Sequence, residues 1–202
     1  MNKIGIMGGT FNPIHYGHLL LAESAYEQFS LDKVLIMPNK YPQYRMISSE
    51  ISEEHRTAMI QLAIASNPHF QLSYEELNRD GATYTVDTLQ ALTKRHPDHS
   101  YYFIMGADSL FHFESWRDTE EICRLCEIIA APRIGQISAD LESQIDYLCA
   151  KFDAKIHLLN SPNLDISSHG IRKKIRNHQT FKYLLPEPVE AYIMEHNLYL
   201  EI

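Results

Sequence analysis

The chain has 202 residues, 45% hydrophobic and 22% charged, as is typical of a globular protein. Asp and Glu outnumber Lys and Arg by 26 to 18, and the net charge of −8 argues against sequence-independent binding to nucleic acid. No stretch approaches the roughly 20 apolar residues that cross a bilayer, and the amino terminus lacks the pattern of a signal peptide. We therefore expect one domain, residues 1–202, in the cytoplasm, with neither nucleic acid nor membrane as partner.

Short apolar runs alternate with helical patterns along the chain. The predicted strands are residues 4–7, 34–37, 70–73, 101–105, 128–131 and 156–159. The predicted helices are residues 19–29, 53–65, 85–95, 119–125 and 141–151, followed by short carboxy-terminal helices at 171–175 and 188–196. The alternation predicts an α/β fold in which a doubly wound parallel sheet carries helices on both faces. Right-handed crossovers place ligands beyond the carboxyl ends of such strands.

The first predicted strand runs directly into a loop with two glycines and two histidines. Gly8 and Gly9 let the backbone turn sharply and approach a ligand closely, because they lack a Cβ atom. His15 and His18 are three residues apart and fall on one face of the first helical turn. A helix amino terminus offers free N–H groups and the positive end of the helix dipole, so this pattern predicts a nucleotide phosphate site.

A second candidate anion site lies near the end of the chain. Ser167 and Ser168 precede a short amphipathic helix, and a serine at an N-cap accepts from first-turn N–H groups. Arg172, four residues beyond Ser168, lies on the same face of the opening turn. A hydroxyl, free N–H groups and a guanidinium suit terminal phosphate oxygens. An ordinary capped helix with a solvated basic face is the alternative interpretation.

The three cysteines form no disulfide framework. Cys123 and Cys126 make a Cys-x-x-Cys pair, which suits redox chemistry at an exposed helix start or, with further ligands, zinc. The pair lies late in a helical segment, and no second ligand pair is spaced for zinc. We expect Cys123, Cys126 and Cys149 to be buried structural residues, and no metal site built from side chains.

Two motifs resemble the signatures of the nucleotidyltransferase superfamily. Gly-Thr-Phe-x-Pro-x-His-x-Gly-His ends at His18, and Ile-Ser-Ser-x-x-Ile-Arg ends at Arg172. The first is also similar, more distantly, to the His-x-Gly-His motif of class I aminoacyl-tRNA synthetases. The resemblance narrows to bacterial nicotinate-nucleotide adenylyltransferases and covers nearly the whole chain, with further matches at residues 83–89, residues 106–109, Trp116 and Arg133. It implies a Rossmann-like nucleotidyltransferase fold.

The resemblance also implies a reaction and a set of site residues. ATP would donate its adenylyl group to nicotinate mononucleotide, forming deamido-NAD and pyrophosphate in NAD biosynthesis, with Mg²⁺ bound through the ATP phosphates and water. The catalytic residues would be His15, His18 and Arg172. The pyridine nucleotide would contact Thr85, Trp116, Arg133 and Arg45, with the tryptophan stacked on the pyridine ring. ATP would be bound by Gly8, Gly9, Thr10, Phe11, His15, His18, Gly106, Asp108, Ile166, Ser167, Ser168 and Arg172.

The chain departs from the family pattern at several positions. Relatives commonly have Pro-x-x-x-Pro-Pro-His-Lys where this chain has Gln43, Tyr44 and Arg45 after its prolines. Asn12 replaces a common Asp, and His169 replaces a Ser or Thr. The alternatives are an adenylyltransferase acting on nicotinamide mononucleotide or phosphopantetheine, a non-catalytic nucleotide-binding module and, least favoured in a short acidic chain, a synthetase-like tRNA binder. Either a monomer or a homodimer is compatible with the sequence.

Overall fold

A computed structural model describes residues 2–40, 51–132, 139–162 and 164–200. The strands are β1 (Asn2–Gly9), β2 (Lys33–Pro38), β3 (Phe70–Leu72), β4 (His99–Gly106), β5 (Cys126–Ala131) and β6 (Ile156–Leu158). The helices are α1 (Tyr16–Gln28), α2 (Glu53–Ile64), α3 (Thr85–Arg95), α4 (Ala107–Phe111), α5 (Thr119–Leu125), α6 (Ala139–Phe152), α7 (Ser168–Arg176) and α8 (Glu187–Glu195), with a 3₁₀ turn at Phe113–Ser115.

The six strands form one sheet in the order β3-β2-β1-β4-β5-β6, and every neighbouring pair is parallel. The chain builds outward from β1 to β3 and then returns to the other side of β1 with β4. Open sheets of this kind bind ligands where the strand order reverses, outside the carboxyl ends of the strands. The predicted doubly wound parallel sheet is confirmed, and its reversal point lies between β1 and β4.

Both faces of the sheet are buried, as the apolar strand sequences require. Along β4, Tyr102 and Ile104 belong to a core that packs against α1, α2, α7 and α8. The alternate residues Tyr101, Phe103 and Met105 belong to a second core under α3, α4, α5 and α6. This period-two alternation follows from the strand pleat, and it fixes which helices lie on each side of the site.

Two elements near the site differ from the prediction. Helix α1 begins at Tyr16, three residues earlier than expected. The prediction missed this first turn because its polar residues do not contribute to the apolar periodicity. Helix α4 directly follows β4, at a place where the sequence predicted no helix. Its five residues are too few to show a helical period.

The cysteines are free thiols, as expected. Cys126 is buried at the start of β5, whereas Cys123 and Cys149 are only half-buried. Burial raises the pKa of the Cys123 thiol to about 11 and raises that of Cys126 further. Both thiols are therefore protonated at neutral pH and poor nucleophiles. No helix in the described segments is long and apolar enough to cross a membrane.

Candidate active site

The two motif histidines meet at the start of α1. His15 is the N-cap residue, with extended backbone, and His18 lies in the first turn. Their rings stack with centroids 3.7 Å apart and an interplanar angle of 24°. The backbone N–H of His15 donates to Nδ1 of His18 over 3.3 Å. Because that Nδ1 accepts, the proton of the neutral His18 ring belongs on Nε2, which leaves an Nε2–H donor for a ligand.

Burial keeps both histidines neutral in the free protein. Desolvation lowers the pKa of His15 from 6.5 to about 4. Desolvation, followed by the charge of His15, holds the pKa of His18 well below its ordinary value. Nδ1 of His15 is buried without a hydrogen-bond partner. The pair therefore offers a phosphate hydrogen-bonding atoms of two neutral imidazoles at pH 7, rather than two imidazolium charges.

Two motif glycines make room for aromatic rings in this loop. A Cβ atom at residue 17 would lie 3.0 Å from Cε1 and Nδ1 of His15, and one at residue 9 would lie 3.1 Å from the Phe11 ring. Phe11 has a φ of 48° and is 2% exposed as a whole residue, and its ring lies edge-on to that of His18 with the centroids 5.0 Å apart. The Phe11 ring therefore belongs to the core rather than to the wall of the cleft.

Side chains of helix α7 donate hydrogen bonds to the loop between β1 and α1. Ser167 is the N-cap, and its Oγ accepts from a first-turn backbone N–H over 3.1 Å. The Ser168 hydroxyl donates to the carbonyl of Pro13 over 2.8 Å. Nη1 of Arg172 donates to the carbonyl of Asn12 over 2.6 Å. The two signature motifs, more than 140 residues apart in the sequence, are thus joined by direct hydrogen bonds.

The structure gives different contacts to the two serines that we expected to bind ATP. Ser167 is the N-cap, and the single proton of the Ser168 hydroxyl is donated to the carbonyl of Pro13. A phosphate oxygen accepts and does not donate, so the Ser168 hydroxyl would have to release Pro13 to bind one, and its contact with ATP stays a prediction. Arg172 differs, because a guanidinium carries five N–H donors and keeps the others for an anion.

Two further side chains hold the same loop, and the sequence did not indicate either of them. Nη1 of Arg56, on α2, donates to the carbonyl of Thr10 over 2.8 Å. The Tyr199 hydroxyl donates to Oδ1 of Asn12 over 2.6 Å, and both residues are buried. The Asn12 side chain, the departure from the family's Asp, therefore acts as a buried hydrogen-bond acceptor within the protein.

A cleft of about 850 Å³ lies at the carboxyl ends of β1 and β4. It gathers predicted residues from four segments of the chain, namely Gly8, His18, Thr85, Gly106, Asp108 and Trp116. The predicted residues Gly9, Thr10, Phe11, His15, Ser168 and Arg172 belong to the loop and helix contacts described above rather than to the cleft wall. The carbonyl of Ile166 would lie 3.6 Å from a Cβ at Gly17, so it adjoins the start of α1. Arg45 and Arg133 fall outside the described residues.

The far end of the cleft combines an aromatic ring with a helix amino terminus. Trp116 is half-buried after the 3₁₀ turn, and its ring meets those of Phe103 and Phe113 at steep angles, with centroids 5.9 and 5.4 Å apart. Helix α3 begins nearby with Tyr84 as its N-cap, and Thr85 lines the cleft. The N–H groups of such a first turn have no intrahelical partners. This end suits a flat ring that carries an anionic group.

Other residues of this end were missed by the sequence interpretation. The guanidinium of Arg117 lies 4.6 Å from the centre of the Tyr84 ring, and its Nη1 is 3.4 Å from Oδ2 of Asp87. Glu76 accepts a hydrogen bond from Thr88 over 3.1 Å, and burial raises the pKa of its carboxyl. No single motif signals them, because they come from separate segments that only the fold brings together. The cleft wall also includes Asn39, Thr83, Ser109 and His112.

The described segments contain no group of three or more His, Cys, Asp or Glu side chains that could hold a metal ion.

Comparisons with known proteins agree with the geometry. The Cytidylyltransferase-like family matches residues 6–174. A protein of Lachnoclostridium phytofermentans named "Probable nicotinate-nucleotide adenylyltransferase" is 48% identical over 200 residues, covering 99% of this chain and 100% of that protein. A protein of the same name from Moorella thermoacetica is 42% identical over 198 residues, covering 98% of this chain and 91% of that protein.

Among solved structures, a Plasmodium falciparum nicotinic acid mononucleotide adenylyltransferase complexed with APC superimposes with a TM-score of 0.80 at 25% identity. The match covers 98% of each chain. Another structure described as that enzyme, complexed with NaAD, also gives a TM-score of 0.80, at 24% identity. Since the family match and the relatives both extend over most of the sequence, this chain is a nucleotidyltransferase that belongs to the nicotinate-nucleotide adenylyltransferase family.

Proposed function

We propose that the protein transfers the adenylyl group of Mg–ATP to nicotinate mononucleotide, forming deamido-NAD and pyrophosphate. One observation carries this proposal: a single cleft is lined both by the histidine donor His18 and by Trp116 with the amino terminus of α3. The relatives' names and the APC and NaAD complexes of the Plasmodium protein support the same pair of substrates.

At the phosphate end, the chemistry needs alignment and charge stabilisation rather than a general base. The acceptor phosphate is already ionised at neutral pH, and one of its oxygens attacks the α-phosphorus of ATP. The bond from the α-phosphorus to the pyrophosphate oxygen breaks, and pyrophosphate leaves with the electron pair. We assign the Nε2–H of His18 to a phosphate oxygen on which charge builds, and the remaining donors of Arg172 to the leaving pyrophosphate.

Mg²⁺ enters with ATP as part of the substrate in this proposal. The phosphates and water would coordinate it. When bound, the ion neutralises charge on the triphosphate. The protein contributes the orientation: His18 and Arg172 approach the phosphates from α1 and α7.

At the acceptor end, the unpartnered first-turn N–H groups of α3 favour a carboxylate over a neutral amide. The electron-poor pyridine ring is placed against the indole of Trp116. Tyr84 and Arg117 border this position. This combination favours nicotinate over nicotinamide as the ring of the acceptor and offers no counterpart to the long flexible arm of phosphopantetheine.

The direct test is pyrophosphate release by the purified protein with Mg–ATP and, in parallel, nicotinate mononucleotide, nicotinamide mononucleotide and phosphopantetheine. We expect release with the nicotinate compound and formation of deamido-NAD, identified by its mass. Equal rates with the amide would overturn the carboxylate preference, and release with phosphopantetheine alone would overturn the acceptor. Binding of ATP without release in any of the three reactions would identify a nucleotide-binding module instead.

The tryptophan gives a separate prediction about the acceptor. Replacing Trp116 by alanine is expected to raise the KM for nicotinate mononucleotide by about tenfold, the scale of one lost aromatic stack, while the KM for ATP stays within a factor of two or so. Phe111→Ala is the matched control, because Phe111 is an exposed aromatic residue on the neighbouring α4. If the two KM values rise together in Trp116→Ala, the ring does not stack on the acceptor.

A further inference from the structure

We infer that Arg56 is a positioning residue for the phosphate end of the cleft. It fixes the peptide between Thr10 and Phe11 and supplies a buried positive charge behind the loop, which has no ion-pair partner among the described residues and which a bound polyphosphate would balance. This inference rests on the proposed function, because it assumes a triphosphate at the loop, and it assigns a role to a residue outside both signature motifs.

The first step concerns the direction of one peptide N–H group. Arg56 holds the carbonyl of Thr10 from the buried side, over 2.8 Å. The described residues contain one cis peptide bond, Asn12–Pro13, so the Thr10–Phe11 peptide is trans. In a trans peptide the C=O and the following N–H point in opposite directions. Arg56 therefore directs the N–H of Phe11 to the opposite side of the peptide from itself, the side on which we place a bound phosphate.

The second step concerns the charge of Arg56. The side chain is 1% exposed, yet its Nε and Nη2 have no hydrogen-bond partner. None of the ion pairs found among the described residues includes it. Glu53, one turn earlier on α2, and Tyr199 act on it only through space, and desolvation lowers its pKa. A guanidinium nevertheless stays protonated in proteins, so the free protein contains a buried cation that no ion pair among the described residues neutralises directly.

The third step is the energetic consequence. A buried charge without a partner destabilises the protein that holds it, and a nearby polyanion reduces that destabilisation on binding. An arginine retained only for packing would contribute to stability with or without ligand. Arg56, in contrast, is expected to oppose folding in the free protein and to favour binding of phosphates. A positioning role for Arg56 thus lowers the stability of the free protein and raises its affinity for phosphates, whereas a purely structural role would only raise the stability.

The test compares Arg56→Met, Arg56→Lys and, as the control, Ile60→Val, since Ile60 is fully buried on the same helix. Thermal unfolding is measured for each protein alone and with Mg–ATP, inorganic tripolyphosphate or adenosine. For Arg56→Met we expect an unchanged or higher Tm without ligand and about 10-fold to 100-fold weaker binding of Mg–ATP and tripolyphosphate, the range for a hydrogen bond to a charged group. Adenosine binding should not change, and Arg56→Lys should recover part of the loss.

The control is expected to behave in the opposite way. Ile60→Val should lower the Tm without ligand and leave the shift caused by Mg–ATP intact. If Arg56→Met shows that same pattern, Arg56 is a structural residue and the inference is overturned. If the unmodified protein binds tripolyphosphate but does not release pyrophosphate with any acceptor, the proposed function fails while the test of Arg56 still gives its answer.

Discussion

Replacing His18 by alanine is expected to lower the rate of pyrophosphate release by about 10²-fold to 10³-fold, the scale for losing one preorganised donor to developing charge. The reason lies in the tautomer: Nδ1 of His18 accepts from the backbone of His15, so the neutral ring presents its proton from Nε2. The affinity for ATP should change much less, because the adenosine contacts remain.

Two variants make this prediction specific. His18→Gln places an amide N–H near the position of Nε2 and should recover part of the lost rate. His96→Ala should have no effect, because His96 is exposed and lies between α3 and β4, where its ring stacks on His99. An unchanged rate in His18→Ala, in a variant with a native circular dichroism spectrum, would remove His18 from the mechanism.

The second large effect is a loss of stability in acid, caused by His15. Its pKa is about 4 in the folded protein and 6.5 in the unfolded chain. As the pH falls below 6.5, His15 becomes protonated in the unfolded chain, whereas in the folded protein it stays neutral until about pH 4. Because the unfolded state binds the proton more tightly, protonation favours unfolding. The contribution of His15 is fully present above pH 6.5 and is lost between pH 6.5 and 4. The free energy of unfolding should fall by about 3 kcal/mol over that range.

The measurement is urea unfolding of the ligand-free protein at several values between pH 7 and pH 4. Carboxyl groups titrate in part of the same range, so the quantity of interest is the difference between the unmodified protein and His15→Asn, in which the imidazole is absent. Between pH 7 and pH 4, the free energy of unfolding of the unmodified protein should fall by about 3 kcal/mol more than that of His15→Asn. Parallel stability profiles would show that His15 is not buried as a neutral ring.

The sequence predicted the sheet and the phosphate end of the cleft for identifiable reasons. Strands buried on both faces are continuous apolar runs, and right-handed crossovers place ligands beyond the carboxyl ends of parallel strands. The strand order and its reversal beside β1 came from the structure. His15 and His18 were found because glycine turns and a helix start are local patterns that a short segment displays by itself. The structure confirms that the two rings lie together, whereas their roles in catalysis stay predictions.

Other features could not be predicted, because they depend on contacts between distant segments. Nothing in the sequence near Arg56 or Tyr199 indicates that each holds the loop between β1 and α1. Which of Ser167 and Ser168 is the N-cap is a difference of one residue at a helix end, which sequence patterns do not determine. The contact between Arg117 and the Tyr84 ring depends on the packing of the 3₁₀ turn against α3, which the sequence near either residue does not show.

The bond from Tyr199 to Asn12 has a consequence for how the protein is made. The two partners are 187 residues apart. At about 5–20 residues per second, a ribosome needs roughly 10–40 s to add the tyrosine after the asparagine. Throughout that interval the amide oxygen of Asn12 lacks its buried donor, although β1 and its neighbours can already pair. The loop between β1 and α1 therefore acquires this hydrogen bond only after 187 further residues have been added, so a nascent chain that has reached β1 does not yet hold the loop in its final form.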